Sequence, residues 1–232
     1  MPKSARNKVV SLTQTEKKTR ENKERIADLI RAGMDEYNFV WVLNVENMRN
    51  TFLKQIRQDW EGSRILFGRT KLMQKVIGRS PEDEYMENSH ELCKVVQGDV
   101  GLLFTNEEPQ VVTDYFESFV KTDFARSGLI APLTFVIPEG VVYSTGGQQS
   151  PEEDVPLAHS LESTMRQLGM PTRLVNGKVT LSAPYTVCEK GQTLDSKQTR
   201  LLKQFGVACS QFKVNLRGYY SKKDAKVVLN DE

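Results

Sequence analysis

The run NFVWVLNV, residues 38–45, is the feature that most restricts what this chain can fold into. It is rich in β-branched and aromatic residues, carries no charge and is too short for a helix, so it predicts a strand buried on both faces. The following stretch, MRNTFLKQIRQDW, repeats apolar residues at helical spacing, and RILF then predicts a second strand. This succession of strand, helix and strand indicates an α/β domain.

The segment RILFGRTKLMQKVIGR, residues 64–79, joins the second strand to a basic helix. We expect Gly68 to form a tight turn and Thr70 to cap the helix. A strand that passes through glycine into a helix N-terminus points backbone N–H groups outward, and here Arg69 and Lys71 lie beside them. This arrangement suits phosphate groups.

The helix itself predicts an amphipathic surface. Its apolar face would be formed by Leu72, Met73, Val76 and Ile77, and its solvent-exposed face by Lys71, Gln74 and Lys75. The simpler alternative is that these cations only solvate an exposed helix. A nucleotide pocket is disfavoured, because GRTK lacks the spaced glycines of the P-loop and of the dinucleotide fingerprint.

The charge of the chain is distributed unevenly along its length. Residues 1–80 carry a net charge of +8, residues 81–190 a net charge of −10, and residues 191–232 a net charge of +4, although the whole chain carries only +2. Such a field attracts one part of the molecule to polyanions and keeps another part away. Nucleic acid is therefore the leading candidate partner.

Other features of the sequence exclude several classes of function. No apolar run approaches the roughly 20 residues of a membrane span, and the first residues lack the apolar core of a secretory signal. The three scattered cysteines indicate a reducing compartment and offer no CxxC pair for zinc. The two histidines match no catalytic or metal-binding spacing, and the acidic runs 82–84 and 152–154 are expected to be solvated loops. We therefore expect no cofactor, no metal and no enzymatic activity.

Several further elements follow from local patterns. Residues 1–20 predict a flexible basic arm, because they are too poor in apolar residues to fold alone. DEYMENSHELCKVV predicts an acidic helix, RLVNGKVTL a hairpin with Asn-Gly at its tip, and DSKQTRLLKQFG another helix.

Taken together, these pieces resemble a known family. The order of NFVWVLNV, KQIR, RILFGRTKLMQKVI, GDVGLLFT, ARSGLIAP and LGMPTRLVNGKV is similar to that of the archaeal and eukaryotic ribosomal stalk-base protein, the rRNA-binding acidic protein of the large subunit. The resemblance covers roughly residues 20–220. It implies a discontinuous α/β domain, an α+β sandwich that binds rRNA, with a smaller α/β domain inserted into it.

Two departures favour a nucleolar ribosome-assembly paralogue of that family over the mature stalk-base protein. The stalk-base protein is expected to continue into further helices and an acidic tail, whereas this chain ends at KVVLNDE, and GRTK stands where that family usually has GKNT. The implied domains are the arm 1–20, an rRNA-binding domain of 21–109 plus 188–220, an insert of 110–187 and a tail of 221–232. The insert is expected to hold most of the acidic residues.

The resemblance also implies a function. The chain would bind large-subunit rRNA in pre-60S particles at the stalk-base, GTPase-associated region, as a placeholder that a phosphatase-like factor releases before the stalk-base protein enters. It would act as a monomer within the particle, in the nucleolus and nucleus with possible shuttling to the cytoplasm, and would affect rRNA processing directly and mRNA turnover indirectly.

Cations of the basic half are the expected RNA contacts. They lie around the glycine turn, on the neighbouring helices and in the arm: Lys54, Arg57, Arg64, Gly68, Arg69, Thr70, Lys71, Lys75, Arg79, Lys3, Arg6 and Lys8. The open alternatives are a mature stalk-base protein, a protein-binding scaffold without RNA affinity and an enzyme.

Overall fold

The computed structural model describes residues 20–230. The helices are α1 (Arg20–Glu36), α2 (Asn50–Asp59), α3 (Thr70–Ile77), α4 (Pro109–Ser118), α5 (Glu162–Gln167) and α6 (Ser196–Gln204), with 3₁₀ helices at Ser89–Lys94 and His159–Leu161. The strands are β1 (Phe39–Glu46), β2 (Arg64–Phe67), β3 (Val100–Thr105), β4 (Lys121–Asp123), β5 (Phe135–Ile137), β6 (Gly140–Val141), β7 (Thr172–Val175), β8 (Lys178–Leu181), β9 (Tyr185–Cys188), β10 (Ser210–Ser221) and β11 (Lys226–Leu229).

The chain forms two compact units. Of the described residues, the first unit comprises 20–44, 60–109 and 216–230, and the second comprises 45–59 and 110–215. Each unit is therefore assembled from separate stretches of the chain.

The first unit is built on a sheet with the strand order β11-β10-β1-β3-β2. β3 pairs antiparallel with both β1 and β2, so β1 and β2 run in the same direction but are separated by β3. This arrangement explains why the sequence shows a strand, helix and strand succession although no adjacent parallel pair forms between those two strands. The predicted mixed α/β fold is confirmed.

One face of this sheet is covered by α1, α3 and the 3₁₀ helix Ser89–Lys94, which share a hydrophobic core with the strands. α1 approaches the sheet closely at Gly33, where a Cβ atom would lie only 2.9 Å from the Phe104 ring. The core includes Ile30, Met34, Val40, Val42, Met73, Ile77, Leu92, Leu102, Phe104 and Tyr220.

The acidic stretch between α3 and β3 differs from its predicted structure. Only Ser89–Lys94 is helical, and it is a 3₁₀ helix. Residues 81–109 contain eight acidic residues and one basic residue, whereas residues 110–187 contain eight acidic and five basic residues. The expectation that the insert holds most of the acidity is therefore wrong, because the excess lies in the first unit.

The second unit contains the small sheets β5-β9 and β6-β8-β7 together with α5 and α6. The predicted hairpin is present, with the turn residues Asn176 and Gly177 at φ 51° and 75° between β7 and β8. The sequence prediction assigned 188–220 to the first domain, but the structure groups α6 with the second unit. The reason is that Leu201 and Leu202 of α6 are buried in the core of that unit.

Candidate nucleic-acid interface

The helix α3 is fixed to the first unit through its apolar face. Met73, Val76 and Ile77 are buried in the core beside α1 and the 3₁₀ helix. Gln74 was predicted to be solvated, but it is half-buried and its Nε2 donates a 2.8 Å hydrogen bond to the Val96 carbonyl. These contacts set the rotation of α3 about its axis and therefore decide which side chains it presents to solvent.

The C-terminal end of α3 is held by three hydrogen bonds from the segment that follows it. The Ile77 carbonyl accepts from Ser89 Oγ at 2.9 Å and from the Tyr85 N–H at 3.0 Å. The Gly78 carbonyl accepts from Cys93 Sγ at 2.8 Å. Because carbonyls at a helix C-terminus lack partners within the helix, these donors stabilise the end of α3. Burial raises the pKa of the Cys93 thiol to about 11, so the donor stays protonated.

The N-terminal end of α3 has no equivalent stabilisation by side chains of the described residues. Arg69 occupies the cap position, its carbonyl accepts from the Leu72 and Met73 N–H groups, and its side chain makes no capping hydrogen bond. Thr70 is the first helical residue, so its predicted capping role is wrong. The first-turn N–H groups remain oriented as a helix N-terminus orients them, toward an incoming anion.

Four predicted cations come together on α3. Arg69, Lys71 and Lys75 are exposed, and none of them forms an ion pair within residues 20–230. Lys71 and Lys75 are one turn apart and share a face. The Arg79 guanidinium turns back along the helix, with Nη2 at 3.4 Å from both the Lys71 carbonyl and Gln74 Oε1. We call these four residues the α3 cations.

The acidic residues give this surface a direction. The segment 81–84 packs against the C-terminal end of α3, where the Cα of Glu84 closely approaches Gly78. The hydrogen bond with His90, whose Nδ1 lies 2.6 Å from Glu84 Oε2, holds the pKa of Glu84 below its ordinary value, so this carboxylate stays charged. An anion is therefore attracted to the N-terminal end of α3 and repelled from its C-terminal end.

The remaining predicted residues lie elsewhere. Gly68 joins β2 to the cap, and its backbone packs closely, since a Cβ there would lie 3.4 Å from Met73 Cγ. Arg64 is half-exposed at the start of β2, about 10 Å before the end of that strand at the usual rise per residue. Lys54 and Arg57 are exposed on α2, which belongs to the second unit. Lys3, Arg6 and Lys8 lie outside the described residues.

The residues that position the α3 cations were not found by sequence reasoning. Gln74, Gly78, Ser89 and Cys93 act through contacts between segments up to 22 residues apart, and a single sequence contains no signal for such pairs. Other chemistry was sought as well. Within residues 20–230 no group of three or more His, Cys, Asp or Glu side chains is arranged to hold a metal, and no helix there is long and apolar enough to cross a membrane.

Comparison with known families assigns the class of the fold. The family model for ribosomal protein L10 matches residues 18–121, and a second model, described as the insertion domain of the 60S ribosomal protein of this type, matches residues 125–207. The chain is thus an L10-type protein that carries the insertion domain.

Comparison with individual proteins narrows the assignment. The ribosome assembly factor mrt4 of Schizosaccharomyces pombe is 55% identical over 227 residues, which cover 98% of this chain and 94% of that protein. The ribosome assembly factor MRT4 of Saccharomyces cerevisiae is 49% identical and covers 98% of this chain over 97% of its own length. The mrt4 protein of Dictyostelium discoideum is 37% identical, with 96% and 94% coverage. The chain therefore belongs to the Mrt4 family.

The mature ribosomal protein is a more distant relative. The large ribosomal subunit protein uL10 of Oryza sativa subsp. japonica is 28% identical over 175 residues, which cover 75% of this chain and 51% of the rice protein. This confirms the predicted relationship, in which the chain is a paralogue of the stalk-base protein.

Proposed function

We propose that this chain is a ribosome assembly factor that binds large-subunit rRNA in pre-60S particles and holds the site later taken by the stalk-base protein uL10. The observation that carries the proposal is the set of exposed α3 cations, which have no carboxylate partner within residues 20–230, on a helix whose other face is fixed in the core. The names of the full-length relatives, ribosome assembly factors, support the biological setting.

The α3 cations suit a folded RNA. Lys and Arg side chains neutralise phosphates, and each neutralised phosphate releases condensed counterions, so affinity falls steeply with salt. Folded RNA is recognised largely through its shape, phosphates and 2′-hydroxyl groups. A rigid helix that presents cations and backbone N–H groups at one end provides such contacts without a base-reading motif.

The placeholder role follows from the shared fold. If two L10-type proteins present equivalent surfaces to the same rRNA segment, only one of them can occupy it at a time. The exchange therefore requires this chain to leave, and a phosphatase-like release factor is the proposed agent. This role places the chain in the nucleolus and nucleus, as a monomer within the particle, and accounts for any effect on mRNA turnover through the supply of ribosomes.

A binding titration tests the RNA contact. The full chain and its R69A/K71A/K75A variant are titrated against the rRNA segment that seats uL10, at several salt concentrations. The loss of three phosphate contacts is expected to reduce the slope of log K against log salt by about 2 and to weaken binding about 50-fold at roughly 150 mM salt.

The matched control is R173A/K178A/K190A. It removes the same charge from three exposed cations of the second unit. The control is expected to retain the parent's slope. Equal slopes for the parent and the α3 variant would show that α3 only carries a solvated surface, and an absence of RNA binding by the parent would favour a protein-binding scaffold.

A further inference from the structure

The second unit carries a separate row of cations on α6. Lys197, Arg200 and Lys203 are spaced three residues apart, so they follow one side of the helix with a rise of about 4.5 Å between neighbours. All three are exposed, none forms an ion pair within residues 20–230, and α6 contains no acidic residue. We call these residues the α6 row.

The orientation of the α6 row is fixed at both its start and its inner face. Asp195 forms a capping box, in which its carboxylate accepts from the Lys197 and Gln198 N–H groups, both at 2.7 Å, and its own N–H donates to Gln198 Oε1. Leu201 and Leu202 are buried in the core of the unit. The cations therefore project from a helix that cannot rotate without exposing two leucines.

Two grooves of this unit are lined by the row. A groove of about 600 Å³ is lined by all three cations and by uncharged side chains of α5 and α6, namely Thr164, Gln167, Leu168 and Gln204. A smaller groove of about 300 Å³ is lined by Arg200 and Lys203 together with Arg49, Asp123, Phe124, Ala125, Arg126, Ser127 and Thr199.

The smaller groove has a clear excess of positive charge. Asp123 is its one carboxylate among the lining residues, and it is already paired with Arg49 at 2.6 Å. Arg126, Arg200 and Lys203 therefore lie in the groove without a carboxylate partner among residues 20–230. This local field attracts a polyanion although the second unit as a whole is almost neutral.

We infer that the α6 row is a second RNA-contact surface, which binds the phosphate backbone of an RNA strand. The lining supplies cations, hydroxyl groups and amides, which are the groups that contact phosphate and sugar oxygens in nucleic-acid complexes. An acidic peptide fits less well, because tight peptide binding relies on buried apolar or aromatic anchors, and Leu168 and Phe124 are the only such lining residues, both partly exposed. The inference shares the RNA partner of the proposed function but concerns a different surface.

The test uses the full chain with K197A/R200A/K203A, measured beside the α3 variant and the R173A/K178A/K190A control. The probe is a large-subunit rRNA fragment that includes the stalk-base segment and its flanking helices. The α6 variant is expected to lose about 2 from the salt slope and about 50-fold in affinity at roughly 150 mM salt. Its unfolding midpoint is expected to match that of the parent, since alanine is favourable in a helix.

The results separate this inference from the proposed function. If the α6 variant loses affinity whereas the α3 variant does not, the second surface stands and the α3 site fails. If the α6 variant binds RNA as the control does, the second surface is refuted whatever the α3 variant shows. Preferential binding of polyglutamate over RNA by the parent, lost in the α6 variant, would also refute it and assign the row to an acidic protein partner.

Discussion

Replacing Gly78 by alanine tests how the end of α3 is held in the first unit. Gly78 has φ 106° and ψ 134°, a conformation that residues with a Cβ atom rarely adopt. A Cβ atom at this position would also lie 2.3 Å from Glu84 Cα and 2.7 Å from the Asp83 carbonyl oxygen. Because both contacts are with backbone atoms, they cannot be relieved by a change of side-chain rotamer.

The expected cost combines these two effects. A residue forced into an unfavourable backbone conformation loses about 1–3 kcal/mol, and overpacking in a close-packed region costs about 1–3 kcal/mol more. Gly78→Ala should therefore lower the free energy of unfolding by about 2–5 kcal/mol, a large part of the roughly 5–15 kcal/mol available to a typical domain. Urea denaturation followed by circular dichroism measures this difference.

Gly98→Ala is the matched control in the same unit. Gly98 also has a positive φ, 73°, but no atom lies within 4 Å of the position its Cβ would take. The control should lose only about 1–2 kcal/mol for the left-handed backbone. Equal losses in the two variants would refute the close packing of residues 83–84 against the end of α3.

Three further predictions concern single side chains. Asp195→Ala should cost about 1 kcal/mol because it removes a capping box, whereas Thr70→Ala should change stability by less than about 0.5 kcal/mol in the same denaturation assay, because Thr70 caps nothing. Burial opposes the ionisation of Asp154, but hydrogen bonds from Ser144, Thr145 and the Val155 N–H hold its pKa below the ordinary value; its stabilising contribution is therefore present at neutral pH and lost as the pH falls through that lowered pKa, and Asp154→Asn should flatten unfolding midpoints measured down to about pH 3. The Cys93 thiol, with its pKa raised by burial to about 11, should react with Ellman's reagent at neutral pH far more slowly in the folded protein than in urea, and equal rates would show that it is accessible.

Local signals predicted much of the fold. The uncharged run 38–45 forms β1, which begins and ends within one residue of the prediction. The Asn-Gly pair at 176–177 forms the turn of a hairpin, since both residues tolerate the positive φ that a two-residue turn requires. RILF and the basic helix after it also form where expected, because strand length and amphipathic spacing are properties of the segments themselves.

Contacts between distant segments were beyond the reach of local signals. DSKQTRLLKQFG shows a helix with two adjacent leucines, but nothing in these residues specifies which core the leucines enter. The chain around Ser89–Lys94 is fixed by hydrogen bonds to the end of α3 and not by its own helical pattern. The α3 cations were predicted from their sequence, whereas the α6 row was not, because its significance depends on the grooves formed beside it.

A competition experiment tests the placeholder claim most directly. A labelled rRNA segment that seats uL10 is saturated with this chain, and uL10 is then added while the composition of the complexes is followed by native electrophoresis. The account predicts mutual exclusion, in which the apparent Kd of uL10 rises in proportion to the concentration of this chain and each RNA carries one protein or the other. A stable complex that contains both proteins on one RNA segment would contradict it.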